Sequence, residues 1–228
     1  MMKYFLTIVA VIWYTTNTYT QTLHFRAGAT QATLDWRYVE VQGPRPDQQY
    51  KAPLTGYAVG LGVEYFDKGL FSLSSDLWYY RSGGQFTDEE KAQRPTAGSV
   101  GFADPEQLLV EHAAFSTCLN FNPLHGKAKL QVQMGPRIDL VTDGTAGVPL
   151  NFVQKRDGLN RVNYGFNLGV GFYLLGERWE YGAQATWLSR LRKLVDLDPE
   201  VTRTAEFIGV NAEEQVFALQ VSLGYRLK

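Results

Sequence analysis

RVNYGFNLGVGFYL, residues Arg161 to Leu174, decides the fold. It alternates without a slip: Val162, Tyr164, Phe166, Leu168, Val170, Phe172 and Leu174 form one set, and Arg161, Asn163, Gly165, Asn167, Gly169 and Gly171 the other. Successive side chains of a strand point to opposite faces, so one face carries large apolar groups and the other glycine and amides. A helix would not sort these residues as cleanly. A soluble sheet would bury the apolar face and leave a polar face in water, but here the polar face is built of small residues. That is the profile of a wall between lipid and a narrow polar interior.

Seven further segments repeat the pattern: Thr22 to Leu34, Tyr57 to Phe66, Leu70 to Tyr80, Leu109 to Phe121, Lys127 to Val141, Arg178 to Leu188 and Glu213 to Lys228. The fourth of the eight is the weakest, because Glu111 and Thr117 share a face with Ala113, Phe115, Leu119 and Phe121, which places Glu111 at a membrane interface. Pro136 lacks a ladder donor and predicts a bulge or a weak pairing in the fifth. The connections alternate in length. Those at Asp67 to Gly69, Asn122 to Gly126 and Leu175 to Glu177 are tight, whereas Asp35 to Gly56, Arg81 to Leu108, Thr142 to Leu159 and Ser189 to Ala212 are long. Short periplasmic turns, long external loops and an even strand count are the signature of an outer-membrane barrel. Aromatic residues gather near both ends of the segments, with Trp36, Tyr57, Tyr79 and Trp187 on the loop side, as two interfacial girdles require.

Composition agrees. The 228 residues are 45% hydrophobic and 14% aromatic, with 22 glycines, enough for one barrel. A formal net charge of -1 argues against a nucleic-acid partner. Cys118 is the only cysteine, so an internal disulfide and a thiolate cage are both excluded. Met1 to Lys3 give a basic start and Tyr4 to Tyr14 an apolar run of signal-peptide length, too short for a membrane-spanning helix. Residues 1–20 read as a signal peptide and residues 21–228 as one barrel domain, with cleavage expected before Gln21 although the usual small-residue site is missing. Elsewhere no run reaches the ~18 apolar residues of a transmembrane helix, so a membrane location requires a closed barrel.

The residues GYAVGLGVEYFDKGLFSLSSDLWYYRSGG (Gly56 to Gly84), NRVNYGFNLGVGFYLL (Asn160 to Leu175) and FALQVSLGYRLK (Phe217 to Lys228) resemble the outer-membrane β-barrel family of porin-like and PorT-like proteins of Gram-negative bacteria. The likeness covers the mature chain and specifies fold better than activity. It implies a structural or partner-binding role in the outer membrane, and permits PorT-like assistance to protein secretion. One departure is the ending Leu227, Lys228 in place of the aromatic residue common in such chains; Tyr225 is the nearest substitute.

An eight-stranded barrel is just wide enough to be filled by its own side chains, so no open pore is expected. Charges must fill it: Arg26, Glu64, Asp76, His112, Lys127, Lys129, Arg137, Asp139, Arg161, Arg178, Glu180 and Arg226 fall on the small-residue face. Buried charges have to pair. Pairing of the first two segments predicts an Arg26 to Glu64 ion pair, with Asp76, His112, Arg137 and Asp139 gathered toward the outer mouth. That cluster is either a structural plug or a proton-sensitive or ligand-binding site beneath the loops.

Enzymatic readings find little material. Ser74, Ser75, Asp76 and His112 are the nearest thing to a triad, and alternation turns Ser75 away from His112. His24 and His125 have no partner histidine at ligand spacing, Asp196 and Asp198 lack the EF-hand spacing, and the paired glycines 60/62 and 169/171 lack the rest of a dinucleotide loop. No catalytic residue, metal or cofactor is expected. The partners expected are outer-membrane lipid and a protein at the external loops, of which Gly43 to Pro53 is rich in Pro and Gln and Asp88 to Arg94 is highly charged. Three alternatives stay open: a soluble lipocalin-like ligand-binding barrel with its faces reversed, a narrow channel, and a lipid-modifying outer-membrane enzyme.

Overall fold

The structure is a computed structural model, and it describes residues 21–39, 48–92, 107–143, 160–197 and 209–227. The expected signal peptide and the central parts of the long loops, including Asp198, lie outside the described residues.

Eight long antiparallel strands close into a barrel. They are β1 (Gln21–Val39), β3 (Ala52–Tyr65), β4 (Phe71–Gln85), β5 (Gln107–His125), β6 (Ala128–Asp143), β7 (Val162–Leu175), β8 (Trp179–Arg190) and β10 (Gly209–Leu227). Each pairs with its neighbour in sequence, and β1 closes the circle on β10 from Gln21 opposite Leu227 to Val39 opposite Gly209. Two short strands extend the outer rim: β2 (Gln48–Gln49) beside β1, and β9 (Val195–Leu197) beside β10. The turn after β3 follows from its residues: Asp67 Oδ1 accepts from the Gly69 amide at 2.8 Å, and Gly69 takes the positive φ of 78° that a side chain would strain.

Both faces of every strand are as the alternation predicts. Phe25, Leu61, Leu77, Phe115, Met134, Ile138, Phe166, Phe172, Tyr181, Leu219 and Val221 point outward and are exposed, whereas Arg26, Glu64, Asp76, Asn120, Gln133, Arg137, Asn167 and Gln184 are buried inside. An apolar outer belt around a polar lumen fits hydrocarbon, and it is the reverse of a lipocalin-like barrel, in which the large apolar residues would line the interior. Three charges expected inside, Lys127, Arg161 and Arg178, sit at strand ends and are exposed.

The strands run past the ends their alternation suggested. Strands β1 and β10 have 19 residues each, about twice the ~9–11 needed to cross a bilayer, and most of the surplus lies on the loop side. The chemistry inverts there. Asp35, Arg37 and Glu213 face outward, while Leu34, Trp36, Leu108, Val110 and Ala212 pack inside with Tyr50, Phe86, Leu194 and Val195 as an apolar cap over the mouth. Tyr50 adopts a φ of 64°, and its ring stacks on Phe86 at 4.4 Å between centroids. Beyond the cap, α1 (Asp88–Ala92) begins at a reciprocal capping box in which the Glu90 amide donates to Thr87 Oγ1 at 3.2 Å and the Thr87 amide donates to Glu90.

Two irregularities differ from expectation. The segment Asn122 to Gly126 is mostly strand: β5 continues to His125, with a register shift between Phe121 and Leu124. At Pro136 the outcome is a weak pairing rather than a bulge, since the same register runs from Ser116 opposite Arg137 to Leu119 opposite Met134 without ladder pairs between.

Candidate functional site: the charged lumen

The lumen holds two groups of charged residues, one toward the tight turns and one toward the outer mouth, with an apolar cluster packed beside them. In the layer near the tight turns, Glu64 is the hub. It accepts from Lys129 Nζ at 2.8 Å, from Gln131 Nε2 at 3.4 Å and from the Ser72 hydroxyl, and lies 3.3 Å from His24 Nε2. Lys129 also reaches Glu180 at 3.3 Å, and Glu180 accepts from Arg226 Nε at 2.8 Å. The Lys129 ammonium lies 5.0 Å from the centre of the Tyr173 ring, whose hydroxyl donates to Gln184 at 2.9 Å. His24, Glu64 and Glu180 have the donor set of a cation site, with ligand atoms within 4.8 Å of one another, and the cation placed among them is the ammonium of Lys129.

The expected Arg26 to Glu64 pair is not formed. The β1–β3 register sets Arg26 opposite Gly60, and Glu64 opposite Thr22. Arg26 instead donates to Asp76 of β4, with its guanidinium carbon 5.5 Å from the centre of the Trp78 ring. Gly62 makes this possible, because a Cβ there would lie 1.9 Å from Asp76 Oδ1 and 3.5 Å from Arg26 Nη1. Asp76 is therefore drawn into the lower half and is absent from the outer cluster in which it was expected.

Around Trp78 an apolar cluster of Ala32, Ala58, Trp78, Tyr80, Ala114, Leu188 and Val216 fills the lumen on the side of β1, β3, β4, β5, β8 and β10, facing Arg137 of β6. It borders a void of about 10 Å³, room for roughly one water molecule.

The outer layer contains the other three expected residues. Arg137 Nε donates to Asp139 at 2.9 Å and its Nη1 to Asn167 at 3.3 Å, and the Tyr80 hydroxyl donates to Asp139 at 3.1 Å. His112 stacks on Tyr80 at 4.8 Å and meets Ser82 Oγ at 2.8 Å. Arg190, not anticipated, ties the layer together: it pairs with Glu214, donates to Tyr80 at 3.3 Å and lies 3.1 Å from His112 Nε2. Continuing the alternation two residues beyond Leu188 would have placed Arg190 inside, and the same parity puts Glu214 inside on β10.

The serines sort as their faces require. Ser74 points inward, 3.4 Å from Asn120, and Ser75 points outward between Tyr65 and Thr117. The hydroxyl beside His112 is Ser82, fully buried beneath the cap. Glu111 does face outward, held by Arg81 Nη2 at 2.6 Å and by the Tyr79 hydroxyl. Cys118 is buried, 4.0 Å from the Asn167 amide nitrogen.

No protein-family model matches the sequence, and no curated protein matches it. Solved structures do match. OprG, an outer membrane protein of Pseudomonas aeruginosa, aligns over 90% of this chain and 95% of its own, with a TM-score of 0.59 and 10% identity. The fold is that of an outer-membrane β-barrel. AlkL, an outer membrane protein determined in lipid bilayers, aligns over 93% of this chain and 92% of its own, with a TM-score of 0.53 and 14% identity. The agreement is in strand number, closure and length, and at such identities it concerns architecture rather than activity.

Proposed function

We propose that the protein is a sealed structural or partner-binding barrel of the outer membrane, whose external loops contact a protein partner and which has no catalytic role. PorT-like assistance to secretion is the finer form of this reading. The observation that carries it is the filling of the lumen: two charged clusters, an apolar cluster beside them and an apolar cap leave Arg26, Glu64, Asp76, His112, Arg137 and Asp139 buried and engaged with one another or with neighbours. Function then belongs to the outer rim and loops.

Planar-bilayer recording on the purified protein tests the sealed lumen, and photocrosslinking from the four external loops in intact cells tests the partner. Silent bilayers with a discrete crosslinked protein support the reading. Stepwise conductance would replace it with the narrow channel, and an altered lipid A profile after gene deletion would replace it with the lipid-modifying enzyme.

A further inference from the structure

The outward face of β3, β1, β10 and β8 carries an open polar patch at the level of the outer aromatic girdle. One row runs Thr55, Gln31, Phe217, Trp187 across the four strands, and above it Thr33 faces Gln215. Gln31, Thr33, Pro53, Trp187, Gln215 and Phe217 line an open groove of about 320 Å³. Among the described residues, the side chains of Gln31, Thr33, Thr55 and Gln215 make no hydrogen bond. Other outward polar groups close on themselves: Ser75 with Tyr65 and Thr117, and Glu111 with Arg81 and Tyr79. Exposed amide and hydroxyl groups at a bilayer interface are free to exchange water for the polar groups of a lipid headgroup.

The surroundings narrow the choice. Immediately above the groove Asp35 faces Glu213, and Arg37 is committed to Asp35 at 3.0 Å, which leaves the Glu213 carboxylate facing the groove to disfavour a phosphate there. Amides that both donate and accept, beside the exposed ring of Trp187, suit a neutral, hydroxyl-rich ring. Below the groove Ala29 and Ala27 of β1 form a shallow apolar lane in which an acyl chain can lie beside the protruding Leu219 and Val221 of β10, and Ala185 and Ala183 of β8 form a second lane on the other side of that ridge. Polar groove and apolar lane are continuous along β1, β10 and β8.

We propose that this face binds a glycolipid of the outer leaflet, its sugar headgroup seated against Gln31, Thr33, Gln215 and Trp187 and an acyl chain in the alanine lane below. The test is native mass spectrometry of the full-length barrel in detergent, titrated with an acylated diglucosamine lipid or, in parallel, with phosphatidylglycerol. The wild type should retain one diglucosamine lipid in preference to phosphatidylglycerol, and the exposed double substitution Gln31→Ala/Gln215→Ala should weaken that retention about tenfold. Trp187→Leu provides an independent loss should the double variant fail to insert, and heat-dependent gel mobility verifies that each variant is folded. Equal retention of the two lipids, unchanged retention by folded variants, or a dimer whose dissociation tracks these substitutions would overturn the proposal, the last by giving the face to a second copy of the chain.

Discussion

Replacing Glu64 with alanine should destabilise the barrel more than any single exposed substitution. The carboxylate is buried and is the shared acceptor of Lys129, Ser72 and Gln131, with His24 beside it. Removing one partner of a buried ion pair costs about 3–5 kcal/mol, because the other charge stays behind. The orphaned Ser72 and Gln131 donors would add about 1–3 kcal/mol each if nothing replaced their acceptor. Two things moderate the total: Lys129 retains Glu180 at 3.3 Å, and groups of one network are not additive. A loss of about 4 kcal/mol is expected. Urea unfolding in lipid vesicles, followed by tryptophan fluorescence, measures it, with exposed Arg178→Ala as a control that should change stability by less than about 0.5 kcal/mol. The double variant Glu64→Gln/Lys129→Met removes both charges while Glu180 keeps Arg226 at 2.8 Å, so it should recover at least half of the loss. A Glu64→Ala barrel within about 1 kcal/mol of the wild type would refute the reasoning, since a hub that can be deleted without cost is not holding buried charges.

Gly62→Val should force Asp76 away from Arg26 and lower stability by about 3 kcal/mol or more in the same assay, whereas Gly126→Ala, with open space around it, should be neutral. Arg190→Ala should cost about 3–5 kcal/mol by stranding Glu214, and Arg190→Lys should rescue only part of it, since one ammonium cannot reproduce contacts to Glu214, Tyr80 and His112 together.

The faces of the barrel were legible because a period of two leaves only one way to sort Val162 to Leu174, and the same sorting held on every strand. The pairing of lumenal charges was not. Cross-strand rules consider adjacent strands, and Arg190 with Glu214 simply continues the β8–β10 register beyond Leu188 opposite Val216; but inside a narrow barrel long side chains also meet across the axis, where Lys129 on β6 reaches Glu64 on β3 and Arg190 on β8 reaches His112 on β5. Shear and a missing Cβ at Gly62 decided that Arg26 goes to Asp76. The outer strand ends were illegible for a different reason. Above the bilayer the outer face meets water, so the polarity of the alternation reverses at Leu34 to Arg37, and a pattern read as apolar-out gives way to what looks like a loop.

A closed membrane barrel resists SDS until heated, so gel mobility of boiled and unboiled protein from washed outer membranes tests the central claim most directly. The expected result is a heat-dependent shift with the protein confined to the outer-membrane fraction. Identical mobility, with the protein in the soluble periplasmic fraction, would contradict it.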